Sequence, residues 1–243
     1  HVFSLVFSAF YFGLGIYIDS SRYIMYFSIT KVMPTRAPLV TPIIKRDLDG
    51  FSNKNGSLVK CDFVKFKSPW GECIEKTTKK NRVPYYIFTE AKNILLMVDD
   101  LTKYFVDTYN DFDIEVENKI LAAAYIGDSF LENHYITVNT ILNAKPNKIS
   151  LFDPIDKLNA EFIILGLKTY SLHCLYSLDQ PIYSFNTKDF KGFQFGNANE
   201  ANIVRFLIFD NYNNVFEISM RGKDLKQKDI DQVLVSLETY PPR

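Results

Sequence analysis

The chain has 243 residues, of which 28 are basic and 28 are acidic, so its formal net charge near neutral pH is zero. This balance excludes binding of nucleic acid through an overall basic field. The hydrophobic content of 47% and the charged content of 23% exclude a low-complexity or disordered chain and are typical of one large domain or two small ones.

The first segment with a distinct character is residues 2–18, which carry no charged side chain and are rich in Phe, Leu, Val and Ile. Their length is near the lower limit for crossing roughly 30 Å of hydrocarbon. No small-x-small cleavage pattern follows residue 18, which favours a retained anchor over a cleaved signal peptide. We therefore predict a transmembrane helix within an N-terminal membrane anchor over residues 1–32, with a buried core helix as the alternative. A second apolar run, residues 23–29, is too short to span a bilayer and is predicted to extend that helix or to lie at the membrane surface.

Residues 33–56 differ in composition from the anchor. Pro34, Pro38 and Pro42 recur every four residues and favour an extended spacer over a helix. Turn-forming residues fill the rest of this segment. We predict a proline-rich linker over residues 33–56 and a soluble α+β domain over residues 57–243.

The first half of the soluble part contains short apolar segments. Alternation of apolar and polar residues predicts strands over residues 59–66 and 84–88. The apolar run at residues 94–98 is either a buried strand or the start of a helix. Residues 99–110 have helical spacing, and residues 114–126 fit either type.

The middle of the chain is predicted to be mainly strand. The apolar runs at residues 161–167 and 169–178 are predicted to form a hairpin of buried strands that turns near Gly166 or Lys168. Strands are also predicted over residues 134–142, 182–185 and, as an alternative to an aromatic loop, 188–195.

The C-terminal end carries the clearest pattern. Residues 203–209 and 215–221 alternate on either side of a turn whose Asp and Asn residues tolerate left-handed backbone. In the second strand, one face carries Phe216, Ile218 and Met220. Helical spacing then predicts an amphipathic helix packed on the sheet, through Ile230, Val233, Leu234 and Leu237. Strands in a row followed by a helix predict the α+β class: an antiparallel sheet sandwich with a C-terminal helix packed on it, preceded by the N-terminal transmembrane helix.

Three cysteines exclude a dense disulfide framework. Cys61 and Cys73 lie on either side of a turn at residues 69–71, and two strands joined by that turn would bring them together. We predict a Cys61–Cys73 disulfide in an oxidising compartment, with two buried thiols as the alternative. Cys174 lies in an apolar run and is predicted to be in the core.

The sequence contains no motif of a catalytic or cofactor-binding site. It lacks a nucleophile elbow, a P-loop, a dinucleotide fingerprint and the paired His or Cys spacing of a zinc site. His134 and His173 lie in strand-like apolar surroundings, and neighbours on a strand face opposite ways, so His173 and Cys174 do not form a dyad by adjacency. We predict a protein that is not an enzyme and has no cofactor or metal. A glycosidase remains open because any chain with 28 acids contains carboxylate pairs.

The strongest charge feature is the stretch 99–117, which has seven acidic residues and one base, Lys103. An acidic surface steers a basic partner towards it. The predicted partner-binding residues are Asp107, Asp111, Asp113, Glu115, Tyr104 and Tyr109. The alternatives are a solvated face and a calcium site at residues 107–113, which lacks the glycine and terminal glutamate of an EF-hand loop.

A second candidate surface is the aromatic segment 183–195. It contains Tyr183, Phe185, Phe190, Phe193 and Phe195. If several of these side chains are exposed, they are interface anchors; the alternative is that they belong to the core.

Residues 189–197, 204–210, 215–219 and 226–236 resemble the end of small bacterial envelope proteins. These include immunity proteins encoded beside antibacterial effectors, such as those of type VI secretion. The same residues are similar to the end of PsbP-like α/β sandwiches, where two strands lead into a closing helix. The resemblance implies no catalytic residue. Immunity proteins against periplasmic toxins are often tethered by an N-terminal helix or a lipid, and only the helix applies here because no lipobox cysteine is present.

Together, the layout and the resemblance predict a membrane-tethered binding protein that neutralises a secreted antibacterial toxin by protein–protein contact. The predicted partners are a cognate effector protein and, through the N-terminal helix, the inner membrane, with the soluble domain in the periplasm; nucleic acid is not a predicted partner. The alternative is a membrane-anchored envelope enzyme or a small-ligand-binding accessory protein, which requires a deep pocket with convergent polar groups.

Overall fold

The computed structural model of the chain describes residues 20–36, 42–48, 51, 56–61, 64–76, 85–91, 94–103, 133–145, 149–172, 180–198 and 203–240. These residues form an α+β fold with a mostly antiparallel multi-strand sheet and a C-terminal helix, as predicted. Within these ranges, no helix is long and apolar enough to span a membrane. The predicted membrane-spanning run, residues 2–18, lies outside them.

Short helices and strands alternate along the described chain. The helices are α1 (Ser20–Phe27), α2 (Met33–Arg36), α3 (His134–Asn143), α4 (Ile155–Tyr170) and α5 (Gln227–Val235), and a π-helical turn (Ser28–Val32) joins α1 to α2. The strands are β1 (Ile43–Lys45), β2 (Ser57–Lys60), β3 (Val64–Ser68), β4 (Cys73–Lys76), β5 (Tyr85–Phe88), β6 (Leu95–Asp100), β7 (Ile182–Asn186), β8 (Phe190–Phe195), β9 (Ile203–Asp210), β10 (Val215–Arg221) and β11 (Glu238–Thr239).

Eight of the described strands form the main sheet, in the order β1-β7-β8-β9-β10-β6-β5-β4. Neighbouring strands are antiparallel except β1 and β7, which pair in parallel with Ile43 opposite Ile182. A smaller antiparallel sheet has the order β11-β3-β2. The small sheet and α5 pack together on one face of the main sheet, which we call the first face.

The first face is an apolar core between two sheets and a helix. Its side chains come from β5, β6, β9 and β10 and meet those of β2, β3 and α5, including Leu96, Phe206, Ile218, Val59, Phe66, Val233 and Leu234. Because side chains alternate along a strand, the other set of residues on the same strands points to the opposite, second face.

Helix α3 covers part of the second face. Val138 and Leu142 pack there against side chains of β8, β9 and β10. The ring of Tyr135 stacks on Phe193, and it meets Phe209 edge to face; in both pairs the centroids are 5.6 Å apart. A further cluster joins α4 to the N-terminal helical segment through Ile29, Met33, Ile164 and Leu165.

The C-terminal predictions are confirmed. Strands β9 and β10 form a hairpin around a turn in which Asn213 has a positive φ of 66°. Phe216, Ile218 and Met220 lie together in the core of the first face, and α5 packs there through its predicted stripe.

The predicted strand over residues 134–142 is wrong, because these residues form α3. The buried residues of α3 are His134, Thr137, Val138, Ile141 and Leu142, which follow helical spacing. Asn133 caps the helix, and its side chain accepts a hydrogen bond from the Ile136 N–H at 3.0 Å. The abundance of β-branched residues favoured a strand, but the helical stripe fits the surface that the sheet presents.

The predicted hairpin over residues 161–178 is also wrong in its described part, which is the second half of α4. Short apolar runs do not distinguish a buried strand from a buried helix, and α4 is enclosed on several sides. Gly166 lies inside this helix rather than at a turn, and a Cβ there would sit 3.6 Å from the Met33 side chain. The glycine lets the N-terminal helical segment approach α4 closely.

Two predictions for the first half need correction. The single strand predicted over residues 59–66 is a hairpin, since β2 pairs with β3 and the Cys61 N–H donates to the Val64 carbonyl. The predicted helix over residues 99–110 starts later, because Asp99 and Asp100 end β6. The run at 94–98 is therefore a strand.

The predicted proline-rich linker, residues 33–56, contains α2 and β1. The Met33 N–H donates to the Ser28 carbonyl, five residues back, in the π-helical turn. Proline lacks an N–H and its ring clashes with the carbonyl four residues earlier, so a widened turn beside Pro34 keeps the helical segment continuous. The spacer prediction therefore fails where β1 joins the main sheet.

A buried polar cluster ties the residue after β1 to the C-terminal helix. The Arg46 guanidinium donates to the Asp231 carboxylate and to the Gln194 side-chain carbonyl. Gln227 donates to Asp231 at 3.1 Å, and Gln194 donates to the Gln227 carbonyl at 2.8 Å. The side chains of Arg46 and Asp231 are only 13% and 6% exposed. Their charges are therefore compensated within the protein.

Removing one charge of this cluster leaves the other buried without compensation. We expect Asp231→Ala to lower the free energy of unfolding by about 3–5 kcal/mol, measured by urea denaturation. The control is Glu238→Gln in the exposed Lys65–Glu238 pair, where the expected change is small. Equal effects of the two substitutions would contradict a special role for the buried cluster.

Lys168 is a buried base in α4. Its Nζ donates to the Ala144 carbonyl at 2.7 Å, directly after α3. Burial, with a smaller contribution from Lys145, lowers the pKa of Lys168 from 10.5 to about 8. Between these two values the unfolded chain holds more protons than the folded chain, so this group makes stability rise with pH across that interval.

We predict that Lys168→Met removes this rise, while Lys157→Met, at a side chain that is 45% exposed, keeps it. The measurement is the free energy of unfolding at pH 7.5, 8.5 and 9.5, a window chosen around the lowered pKa of Lys168. The same slope in wild type and Lys168→Met would contradict the assignment.

Candidate functional site

The part of the second face farthest from α3 carries an apolar patch near the edge of the main sheet. Ile74 of β4 lies opposite Ile87 of β5, and Ile87 lies opposite Leu95 of β6. In the neighbouring row, Tyr85 lies opposite Met97. Residues directly opposite on paired strands have adjacent side chains. We call these five residues, Ile74, Tyr85, Ile87, Leu95 and Met97, the edge patch.

The edge patch is accessible at its outer strand and on β6. Ile74 is 56% exposed and Met97 is 37% exposed. The other three side chains are half-buried. Apolar side chains on one face of three adjacent strands form a contiguous surface, and such surfaces on monomers commonly mark sites of interaction.

Strand β4 makes this patch unusual, because it lies at the end of the main sheet. In the described part of the chain, β4 pairs only with β5. An edge strand offers backbone N–H and C=O groups to another chain, and native proteins usually protect such edges with charges, prolines or bulges. Here the outward-facing residue of the second face is Ile74. The edge therefore combines open backbone groups with an apolar side chain.

Charged residues border the edge patch on β9 and β10. The row that contains Leu95 continues to Arg221, and the row that contains Met97 continues to Ser219 and Arg205. Glu217 lies 4.0 Å from Arg205 and accepts a hydrogen bond from Ser219 at 3.0 Å. The border therefore carries charges of both signs.

Asp99 adds a carboxylate to this border, since it lies opposite Glu217 on β6. Burial raises the pKa of Asp99, its backbone hydrogen bond opposes the shift, and the neighbouring Asp100 raises the pKa further. The carboxylate is thus partly removed from water, and a basic group supplied by a partner would compensate its charge.

The predicted partner-binding residues on the acidic stretch lie outside the described residues. They are Asp107, Asp111, Asp113, Glu115, Tyr104 and Tyr109. The first two acids of the stretch, Asp99 and Asp100, are described and end β6. Their position brings the start of the acidic stretch next to the edge patch along the chain.

The structure does not join Cys61 to Cys73. The turn at residues 69–71 leads from β3 in the small sheet to β4 in the main sheet, so the strands on either side of it pair with different partners. Cys61 is buried and Cys73 is half-buried. The predicted disulfide is thus absent here, because the strands around the turn do not form a hairpin with each other.

His134 is the first residue of α3 and is buried there. Its Nδ1 lies 2.9 Å from the Asn213 carbonyl oxygen, and Asn213 also accepts from the His134 N–H through its side chain. Burial lowers the pKa of His134, and the hydrogen bond to Asn213 opposes the shift. The arrangement connects α3 to the β9–β10 turn. His173 and Cys174 lie outside the described residues.

The aromatic segment 183–195 is mainly core, which was the alternative interpretation. Phe185, Phe190, Phe193 and Phe195 are all at most 3% exposed. The Phe185 ring lies over Gly192, its partner on β8, where a Cβ would come within 2.6 Å of the ring. These residues therefore offer no binding surface, apart from half-buried Tyr183.

Metal binding finds no support in the described part of the chain. No group of three or more His, Cys, Asp or Glu residues there has the geometry to hold a metal ion. The residues of the calcium alternative, 107–113, lie outside that part.

Sequence reasoning missed the edge patch, although a signal was present. Residues 85–88 and 95–98 are apolar at every position. A strand with two apolar faces needs a cover on each face, and the small sheet covers only the first. Comparison of the sequence with models of known protein families finds no match, and comparison with curated proteins finds none either.

The state of the cysteines can be tested directly. Unfolding the native protein with iodoacetamide and no reductant should label both Cys61 and Cys73, as read by peptide mass spectrometry. In the folded protein Cys73 should react slowly, because burial raises the pKa of its thiol. A cross-linked peptide that contains both residues would contradict this arrangement.

Proposed function

We propose that this chain is a membrane-tethered binding protein that neutralises a secreted antibacterial toxin by protein–protein contact, with the edge patch as its contact surface. The observation that carries the proposal is the exposure of Ile74 on an edge strand, beside the other apolar residues of the patch. The tether is the apolar run at residues 2–18.

Two physical contributions favour the edge patch as a protein-binding surface. A partner strand added beside β4 would satisfy backbone groups, which gives affinity with little dependence on side chains. Burial of Ile74 and Met97 under the partner would add the apolar contribution that concentrates binding energy at the centre of interfaces.

The border of the patch favours specificity for a protein over a small apolar ligand. Arg205, Glu217 and Arg221 surround it with charges of both signs. Charges at the rim of an interface select the partner and its orientation more than they add affinity. The acidic stretch after β6 remains the predicted element that steers a basic partner, and its residues keep their predicted role.

The compartment also remains a proposal. The soluble domain is placed in the periplasm by the resemblance to immunity proteins. Because Cys61 and Cys73 are not joined, the cysteines add no support for an oxidising compartment.

The test uses the effector encoded beside the gene for this chain, with full-length protein in detergent and binding measured by biolayer interferometry. We expect Ile74→Lys to weaken binding at least ~10-fold, the scale of one interface hot spot. The matched control is Leu58→Lys on β2, an edge strand of the small sheet, since Leu58 is 57% exposed and Ile74 is 56% exposed.

The outcomes separate the two parts of the proposal. If the neighbouring effector does not bind and the chain does not protect cells that express it, the immunity function is wrong. If it binds equally well to both variants, the edge patch is wrong. In that case, reversing Asp107, Asp111 and Asp113 to Lys in the same assay at low salt tests the acidic stretch.

A further inference from the structure

Helix α1 exposes apolar side chains on the side that faces away from the protein. Ile24 is 57% exposed and Phe27 is 39% exposed. On the other side of the same helical segment, Ile29 and Met33 pack against α4. A helix that is apolar on two sides is buried on both or contacts lipid. The outer side of α1 therefore lacks a cover among the described residues.

A third apolar side chain lies beside the start of α1. Phe152 precedes α4 and is 69% exposed, the highest value among the described large apolar residues. The Arg22 guanidinium donates to the carbonyl of Asp153. This bond places Phe152 next to the first turn of α1. We call Ile24, Phe27 and Phe152 the helical-end patch.

The helical-end patch lies at one end of α4, and the sheet contacts the other. Leu172, just beyond the C-terminal end of α4, belongs to the cluster on the second face of the main sheet. With 16 residues, α4 is about 24 Å long. The patch is thus separated from that contact by the length of the helix.

The charge of the N-terminal helical segment indicates what the patch contacts. Residues 20–36 contain Arg22, Lys31 and Arg36 and no acidic residue. Basic residues beside apolar and aromatic side chains are typical of helices that lie at the surface of anionic membranes. The segment also follows the uncharged apolar run at residues 2–18 directly in the chain.

We propose that the helical-end patch lies in the interfacial region of a lipid bilayer and fixes the orientation of the domain on the membrane. Ile24, Phe27 and Phe152 enter the boundary between headgroups and acyl chains, and the basic residues of the segment face anionic headgroups. This inference rests on the membrane tether of the proposed function. It places the edge patch on a part of the molecule that α4 separates from the bilayer contact.

The test measures contact between the patch and lipid in the full chain. The protein is reconstituted in vesicles of phosphatidylcholine and phosphatidylglycerol, with or without bromine on the acyl chains, which quenches nearby indoles. The native Trp70 is 5% exposed and supplies a constant background. The Phe152→Trp variant adds an indole in the patch. The Tyr212→Trp variant is the matched control, because Tyr212 is 62% exposed in the β9–β10 turn.

We expect brominated lipid to reduce the added emission of Phe152→Trp several-fold and to leave that of Tyr212→Trp unchanged. Equal quenching in the two variants overturns the proposal while leaving the tether intact, provided the protein floats with the vesicles. If the full chain does not float, both the tether and this inference are wrong. If the added indole of Phe152→Trp is shielded from acrylamide but not quenched by bromine, a protein such as a second copy covers the patch, and contact with lipid is excluded.

Discussion

The central strands of the main sheet are apolar on both faces, and the rest of the structure depends on covering both. Strand β9 shows the constraint directly, since every residue from Phe206 to Phe209 is at most 3% exposed. A strand of this kind is stable only when separate elements remove each face from water. The small sheet and α5 cover the first face, and α3 covers the second over β8, β9 and β10. The helical layer of α4 and the N-terminal segment then packs on α3.

Coverage of the second face ends before the sheet does. Strands β4, β5 and β6 have the same two-sided apolar composition as the central strands, yet Ile74 and Met97 remain exposed in the described structure. The same molecule protects its opposite edge differently, since β1 is only three residues long and is followed by Arg46 in the buried polar cluster. The two edges of the main sheet are thus built by different rules. One edge is closed by a short strand and a buried charge, and the other presents apolar surface.

The sequence predicted the fold well where one periodicity acts alone. In β10 and α5, alternation and helical spacing each have a single interpretation, and the structure follows both. In α3, β-branched residues and a helical stripe gave opposite indications, and the stripe prevailed because it matches the sheet surface beneath it. In α4, enclosure by neighbours removed the periodicity on which a helix prediction depends. Local sequence contains no information on that enclosure.

The candidate site was less predictable, because it arises from pairing between strands that are distant in the chain. Ile74, Ile87 and Leu95 become one row only after β4, β5 and β6 pair in register. The acidic stretch attracted attention because its charge is local in sequence. The disulfide prediction failed for a related reason, since the turn between Cys61 and Cys73 connects two sheets rather than two paired strands.

The position of Arg46 has a mechanical consequence. A protein held by its N-terminal segment receives any pull from a bound partner through the residues that first enter the fold. Here those residues are β1, which pairs with β7 over three residues, and Arg46, which is bonded to Asp231 near the C-terminal end. Forced unfolding is governed by the rate at which such first contacts break. The buried ion pair therefore acts as a latch that transfers load from the tether to α5 and the first-face core, so that the hairpin of β9 and β10 does not carry it.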